Sequence, residues 1–111
     1  MMASTKEVEQ FDIYWANLDP TIGSEIKKTR PCIVVSPDIM SSLLNTVLVV
    51  PITSTIINWP FRMTITSTGK VSSAACDHLR SISVKRLNKK IGSLNKKESD
   101  QILELLRTIF N

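Results

Sequence analysis

Glu25 and Arg30 share one short stretch that ends at Pro31, and a pair of hydroxyls, Thr53 and Ser54, follows Pro51-Ile52. These residue types suit work on a phosphate. A guanidinium presents several N–H donors to its oxygens, a hydroxyl adds a neutral donor, and a carboxylate can take a proton. His78, the single histidine, titrates by default in the range where proton transfer is useful. Other chemistries are hard to build. There is no Cys-x-x-Cys and no carboxylate cluster at ligand spacing, so no metal is expected. The three glycines, at 23, 69 and 92, make neither a dinucleotide fingerprint nor a phosphate loop, and no cofactor is expected. A Gly-x-Ser-x-Gly nucleophile turn is absent as well.

RNA is the substrate that fits so spare a set. Its own 2′-hydroxyl can attack the adjacent phosphate, which leaves a protein only to position the strand, move protons and stabilise negative charge. Taken singly, each residue also has a plainer reading. Arg30 can be a surface arginine paired with Glu25, and Thr53 and Ser54 can be turn hydroxyls that satisfy backbone groups.

The elements that would position them follow from periodicity. Asp12–Asn17 reads as a strand with apolar residues on both faces, and residues 18–30 as a long exposed loop carrying Lys27 and Lys28. Residues 32–35 and 46–50 read as buried strands, the second ending at Pro51, with a short helix or irregular loop between them. Phe61–Thr66 alternates cleanly as a half-exposed strand before a turn at Thr68-Gly69-Lys70. Strands are also expected in 71–76, 79–84 and 90–94, broken near Asp77-His78. Asn95 with Glu98 three positions on resembles a capping box, and Ile102, Leu105, Leu106 and Ile109 recur at helical spacing, which predicts a helix over 96–110. The expected architecture is a small, mainly β barrel of antiparallel strands covered by that C-terminal helix.

The chain has 111 residues, the size of one domain, preceded by a flexible polar arm at 1–10. A domain this small often gains stability by pairing, so a homodimer is expected. Net charge is +4 with a pI near 9.3, which suits a polyanionic partner, although much of the excess lies in Lys85–Lys90 and Lys96–Lys97. Cys32 and Cys76 lie in apolar runs and read as reduced, buried thiols. No signal-like or membrane-spanning stretch is visible, which places the protein in the cytoplasm away from membranes.

At these same residues the sequence resembles a known family. Asp12-Ile-Tyr-Trp-Ala-Asn-Leu-Asp-Pro-Thr-Ile-Gly-Ser-Glu25, Arg30-Pro31 and Pro51-Ile-Thr-Ser54 closely resemble the MazF/PemK toxin endoribonucleases, more weakly so through Asp77–Leu87. The resemblance implies an SH3-like barrel, a homodimer, cleavage of single-stranded RNA, chiefly mRNA, and a MazE/PemI-like antitoxin partner. It implies catalytic roles for Arg30, Thr53 and Arg80, with Glu25 and Ser54 beside them. Three positions depart from the family pattern: His78 stands for a glutamine, Ser83 for an aspartate, and Phe11 for a glycine. With the aspartate missing, the base is sought in Glu25 or His78. Lys27, Lys28, Ser54 and Trp59 are the candidate RNA contacts, Trp59 through its stacking face. A second reading is a non-enzymatic toxin on the same barrel, like the CcdB gyrase poisons. Those depend on a Trp-Gly-Ile-like C-terminus, whereas this chain ends Thr108-Ile109-Phe110-Asn111.

Overall fold

The computed structural model describes residues 7–18 and 29–111, so the candidate residues Glu25, Lys27 and Lys28 lie outside it. The described strands are β1 (Asp12–Asn17), β2 (Thr29–Val34), β3 (Thr46–Thr53), β4 (Arg62–Ile65), β5 (Ser72–Ala75), β6 (Arg80–Ser83) and β7 (Leu87–Ser93). Helix α1 (Asp38–Leu44) joins β2 to β3, and α2 (Lys96–Ile109) ends the chain. Tight 3-10 turns at Cys76–His78 and Val84–Arg86 flank β6.

The strands form one antiparallel sheet whose two faces bury different residues, because successive side chains of a strand point to opposite sides. Ile13, Ile33, Val50 and Ile52 pack on one face with Ile102 and Leu106 of α2. Tyr14, Cys32, Val34, Val47, Val49 and Ile82 form a second apolar cluster on the other face.

A mainly β fold closed by a C-terminal helix is what forms, but the predicted barrel does not. The sheet is open: it runs β4-β5-β3-β2-β1-β7 from edge to edge with β6 paired to β3, and among the described residues no ladder joins β4 to β7. The donors that would extend such a ladder are taken by side chains. Just past β4, Thr66 N–H donates to Glu98 Oε2 at 2.7 Å, and just past β7, Asn95 N–H donates to Ser67 Oγ at 3.2 Å. Ser67 in turn donates its hydroxyl to Glu98 Oε1. The edges are therefore tied by one carboxylate and one serine.

The same contacts alter the predicted helix start. Asn95 Oδ1 accepts Glu98 N–H at 2.8 Å as an N-cap should, but the Glu98 carboxylate goes to Thr66 and Ser67 and does not return to Asn95.

The strand expected to end at Pro51 continues to Thr53. Pro51 falls between two ladders on one side of β3: the β6 pairing ends at Val49 and the β5 pairing begins at Ile52, so its missing N–H interrupts neither. Between β2 and β3 the chain forms a helix that buries none of its residues, ended by Asn45 in the left-handed conformation (φ 56°).

Candidate active site

β2 is an interior strand, paired with β1 on one side and β3 on the other, so its residues have little freedom to shift. Its register places Cys32 across from Pro51. That pair ends the ladder, and alternation two residues further along each strand turns Arg30 and Thr53 to the face of Cys32 and Pro51. On the other side of β3, Arg80 opens β6 directly opposite Val49. Val49, Pro51 and Thr53 alternate to one face of β3, so Arg30, Thr53 and Arg80 share the face that also holds Cys32.

The electrostatics agree with this placement. Burial pushes the Cys32 thiol up to about 12 despite the opposing pull of the Arg80 and Arg30 charges, both of which reach it. Arg80 Nη1 donates to the carbonyl of Leu18 at 3.1 Å, which anchors the guanidinium where the chain leaves β1. Thr53 is buried, and its Oγ1 accepts Thr55 N–H at 3.2 Å, so the hydroxyl keeps its own proton to donate. Ser54, one residue on, is exposed in a bend. Two guanidinium groups and a fixed hydroxyl on one rigid face can hold a phosphodiester and stabilise charge that develops on it.

The remaining candidates lie on connections between strands. His78 is half-buried in the turn before Arg80, and its Nε2 is 3.6 Å from Asp77 Oδ2, beyond hydrogen-bonding distance. Trp59 lies on the segment between β3 and β4 and is 47% exposed. Ser73 and Thr64 escaped the sequence reading. The β5 register puts Ser73 beside Thr53, and the β4 register puts Thr64 beside Ser73, which extends a line of hydroxyls across the sheet from Arg30. The Ser72-Ser73 pair inside an otherwise apolar strand was the signal, but which serine faced the site depended on register. Among the described residues no group of three or more His, Cys, Asp or Glu side chains is placed to hold a metal ion, and no helix is long and apolar enough to cross a membrane.

A family model for the PemK-like, MazF-like toxins of type II toxin–antitoxin systems matches residues 9–110. The chain is 32% identical over 106 residues to endoribonuclease MazF9 of Mycobacterium tuberculosis, covering 86% of this chain and 90% of that protein. It is 31% identical over 81 residues to the endoribonuclease toxin MazF of Escherichia coli K12, covering 73% of each. In chain path it follows MazF from Deinococcus radiodurans, with a TM-score of 0.85 at 21% identity over 95% of this chain and 97% of the other. A MazE–MazF complex from the same organism gives a TM-score of 0.78 at 18% identity, over 96% and 97% of the two chains. This chain therefore belongs to the PemK-like, MazF-like toxin family.

Proposed function

We propose that the protein is the toxin of a type II toxin–antitoxin pair and cuts single-stranded RNA, chiefly mRNA, without a metal ion. The observation that carries this reading is the convergence of Arg30, Thr53 and Arg80 on one sheet face, in a chain whose curated relatives are endoribonucleases. A base takes the 2′-hydroxyl proton, the freed oxygen attacks phosphorus, and the bond from phosphorus to the 5′-oxygen breaks. The products are a 2′,3′-cyclic phosphate and a 5′-hydroxyl. Arg30 stabilises the charge on the phosphate oxygens, and the departing 5′-oxygen takes its proton from water, the hydroxide left behind being neutralised by the proton that the base has taken. Thr53 donates a hydrogen bond that strengthens as charge develops, and Arg80 neutralises a phosphate on the same strand. An arginine stays protonated at neutral pH, so the base is Glu25 or His78. Ser54, Lys27, Lys28 and Trp59 contact the RNA outside the scissile bond.

Two partners complete the reading. An acidic MazE/PemI-like antitoxin covers the sheet face that carries Arg30 and Arg80, as the MazE–MazF complex of the Deinococcus protein supports by analogy. A second copy of the chain forms a homodimer, which the exposed apolar side chains Trp15, Ile39, Leu43 and Leu44 support. The test is incubation of purified protein with mixed-sequence single-stranded RNA in excess chelator. Cleavage with cyclic-phosphate ends is expected, and strict dependence on an added divalent ion would contradict the mechanism.

A further inference from the structure

A third arginine, Arg62, lies on the sheet face that carries Arg30 and Thr53, but its charge is already taken. Arg62 faces Ala75 in the β4–β5 register, as Thr64 faces Ser73 and Thr53 faces Ser73, so alternation turns it to the site side. Its Nε and Nη2 donate to Asp77 Oδ1 and Oδ2 at 2.7 and 3.1 Å, a two-point pairing that offsets its charge with a carboxylate. The Arg62 side chain is only 8% exposed.

Its flat face is used differently. Arg62 Cζ lies 5.1 Å from the centroid of the Trp59 ring, and Phe61 meets that ring edge-on at 6.3 Å and 66°. The backbone is fixed too: Trp59 N–H donates to Ile57 O at 2.9 Å, Arg62 N–H to Trp59 O at 3.1 Å, and Cys76 N–H to Phe61 O at 3.1 Å. One face of the indole is therefore backed by a locked guanidinium while the residue stays 47% exposed. An indole held in one orientation at the surface contributes little to the core, but it is what a base needs in order to stack. From Thr53 the position of Arg62 is displaced by two residues along β5, about 7 Å, and by two strands, about 10 Å, a span that one or two nucleotides of an extended strand can bridge.

We propose that Arg62 and Asp77 hold Trp59 as a stacking platform for an unpaired base flanking the scissile phosphate, and that this contact sets part of the sequence preference. The proposal rests on the ribonuclease reading and adds positioning roles for Arg62 and Asp77. Stacking strength grows with ring area, so the platform favours a purine at that position.

In a Trp15→Phe background Trp59 is the sole tryptophan, because the chain has two. Titration with a mixed-sequence RNA 2′-O-methylated throughout, which cannot attack its own phosphate, should quench Trp59 fluorescence. Cleavage of a randomised RNA pool by the parent should show a purine bias at one position beside the cut. Trp59→Ala should flatten that bias and raise KM roughly tenfold, more than it lowers kcat, with Trp59→Tyr restoring both. Asp77→Ala should weaken the bias by releasing Arg62. An unchanged bias in Trp59→Ala, or fluorescence that responds to an antitoxin peptide and not to RNA, would overturn the proposal. A parent protein that cuts no RNA would instead remove the ribonuclease reading, with the titration still reporting whether a base stacks.

Discussion

The two faces of the sheet are built to different ends. On the helix side, Ile13, Ile33, Val50, Ile65 and Ile102 are at most 1% exposed, and the buried carboxylate of Glu98 accepts hydrogen bonds from Thr66 and Ser67. On the other side, an equally dry patch around Cys32, Val47 and Val49 gives way at the strand ends to Arg30, Thr53, Arg62 and Arg80. Apolar packing stabilises both, but the second face carries these arginines at its strand ends. A buried unpaired charge is expensive, and Arg80 is accordingly held by the Leu18 carbonyl and Arg62 by the Asp77 carboxylate. On the proposed function the helix face carries stability and the other the chemistry, and substitutions should separate the two.

The largest loss of stability should come from Ile102→Ala, which opens a cavity under α2 and costs roughly 2 to 5 kcal/mol. Urea unfolding should register it, while the cleavage rate per folded molecule stays near that of the parent. A parallel loss of rate in fully folded protein would mean the faces are coupled.

Glu98→Ala should cost about 1 to 3 kcal/mol, because it removes a buried carboxylate that accepts from Thr66 N–H and from the Ser67 hydroxyl. Hydrogen exchange should show local opening first at Thr66–Ser67 and the start of α2. Protection unchanged there would refute the tie between the sheet edges.

On the site face, Thr53→Val keeps shape but removes one neutral hydrogen bond, so the single-turnover rate should fall by about tenfold with little change in stability. A rate equal to the parent's would take Thr53 out of the chemistry.

The smallest effect concerns the thiols. Burial pushes both Cys32 and Cys76 up to about 12 from an ordinary value near 9. A raised thiol pKa favours the neutral form in the folded state, so this contribution is complete below about pH 9 and is lost as pH rises toward 12. Alkylation at pH 8 should therefore be slow in native protein and fast in urea. Rapid native labelling would show that the floor of the site is open.

Much of this was readable before the fold was known, and the misses have physical causes. β1 spans Asp12–Asn17 as its alternation predicts, because strand period and burial coincide there. The helix over 96–110 forms as Lys96–Ile109, its apolar stripe being as plain as any in the chain. The barrel was misread because closure depends on where Thr66, Ser67 and Glu98 spend their hydrogen bonds, which no local pattern records. β3 was cut short at Pro51, since proline ends strands unless its missing donor falls between ladders. Arg30 and Thr53 stood out by type and by the family motif. Ser73 and Arg62 did not, because their side of the sheet follows from register alone. Phe11 stands where the family pattern has glycine, and its φ of 74° lies in the region glycine adopts without strain. Its ring packs against the helix-side core, which offsets part of that cost.

The most direct test of the division between faces is single-turnover cleavage of RNA by Arg30→Ala, with enzyme saturating and chelator present, alongside a urea melt of the same protein. Loss of one transition-state donor should lower the rate on the order of a hundredfold or more while the unfolding midpoint moves little. An Arg30→Ala protein that stays folded and cuts RNA at the parent rate would contradict the account at its centre.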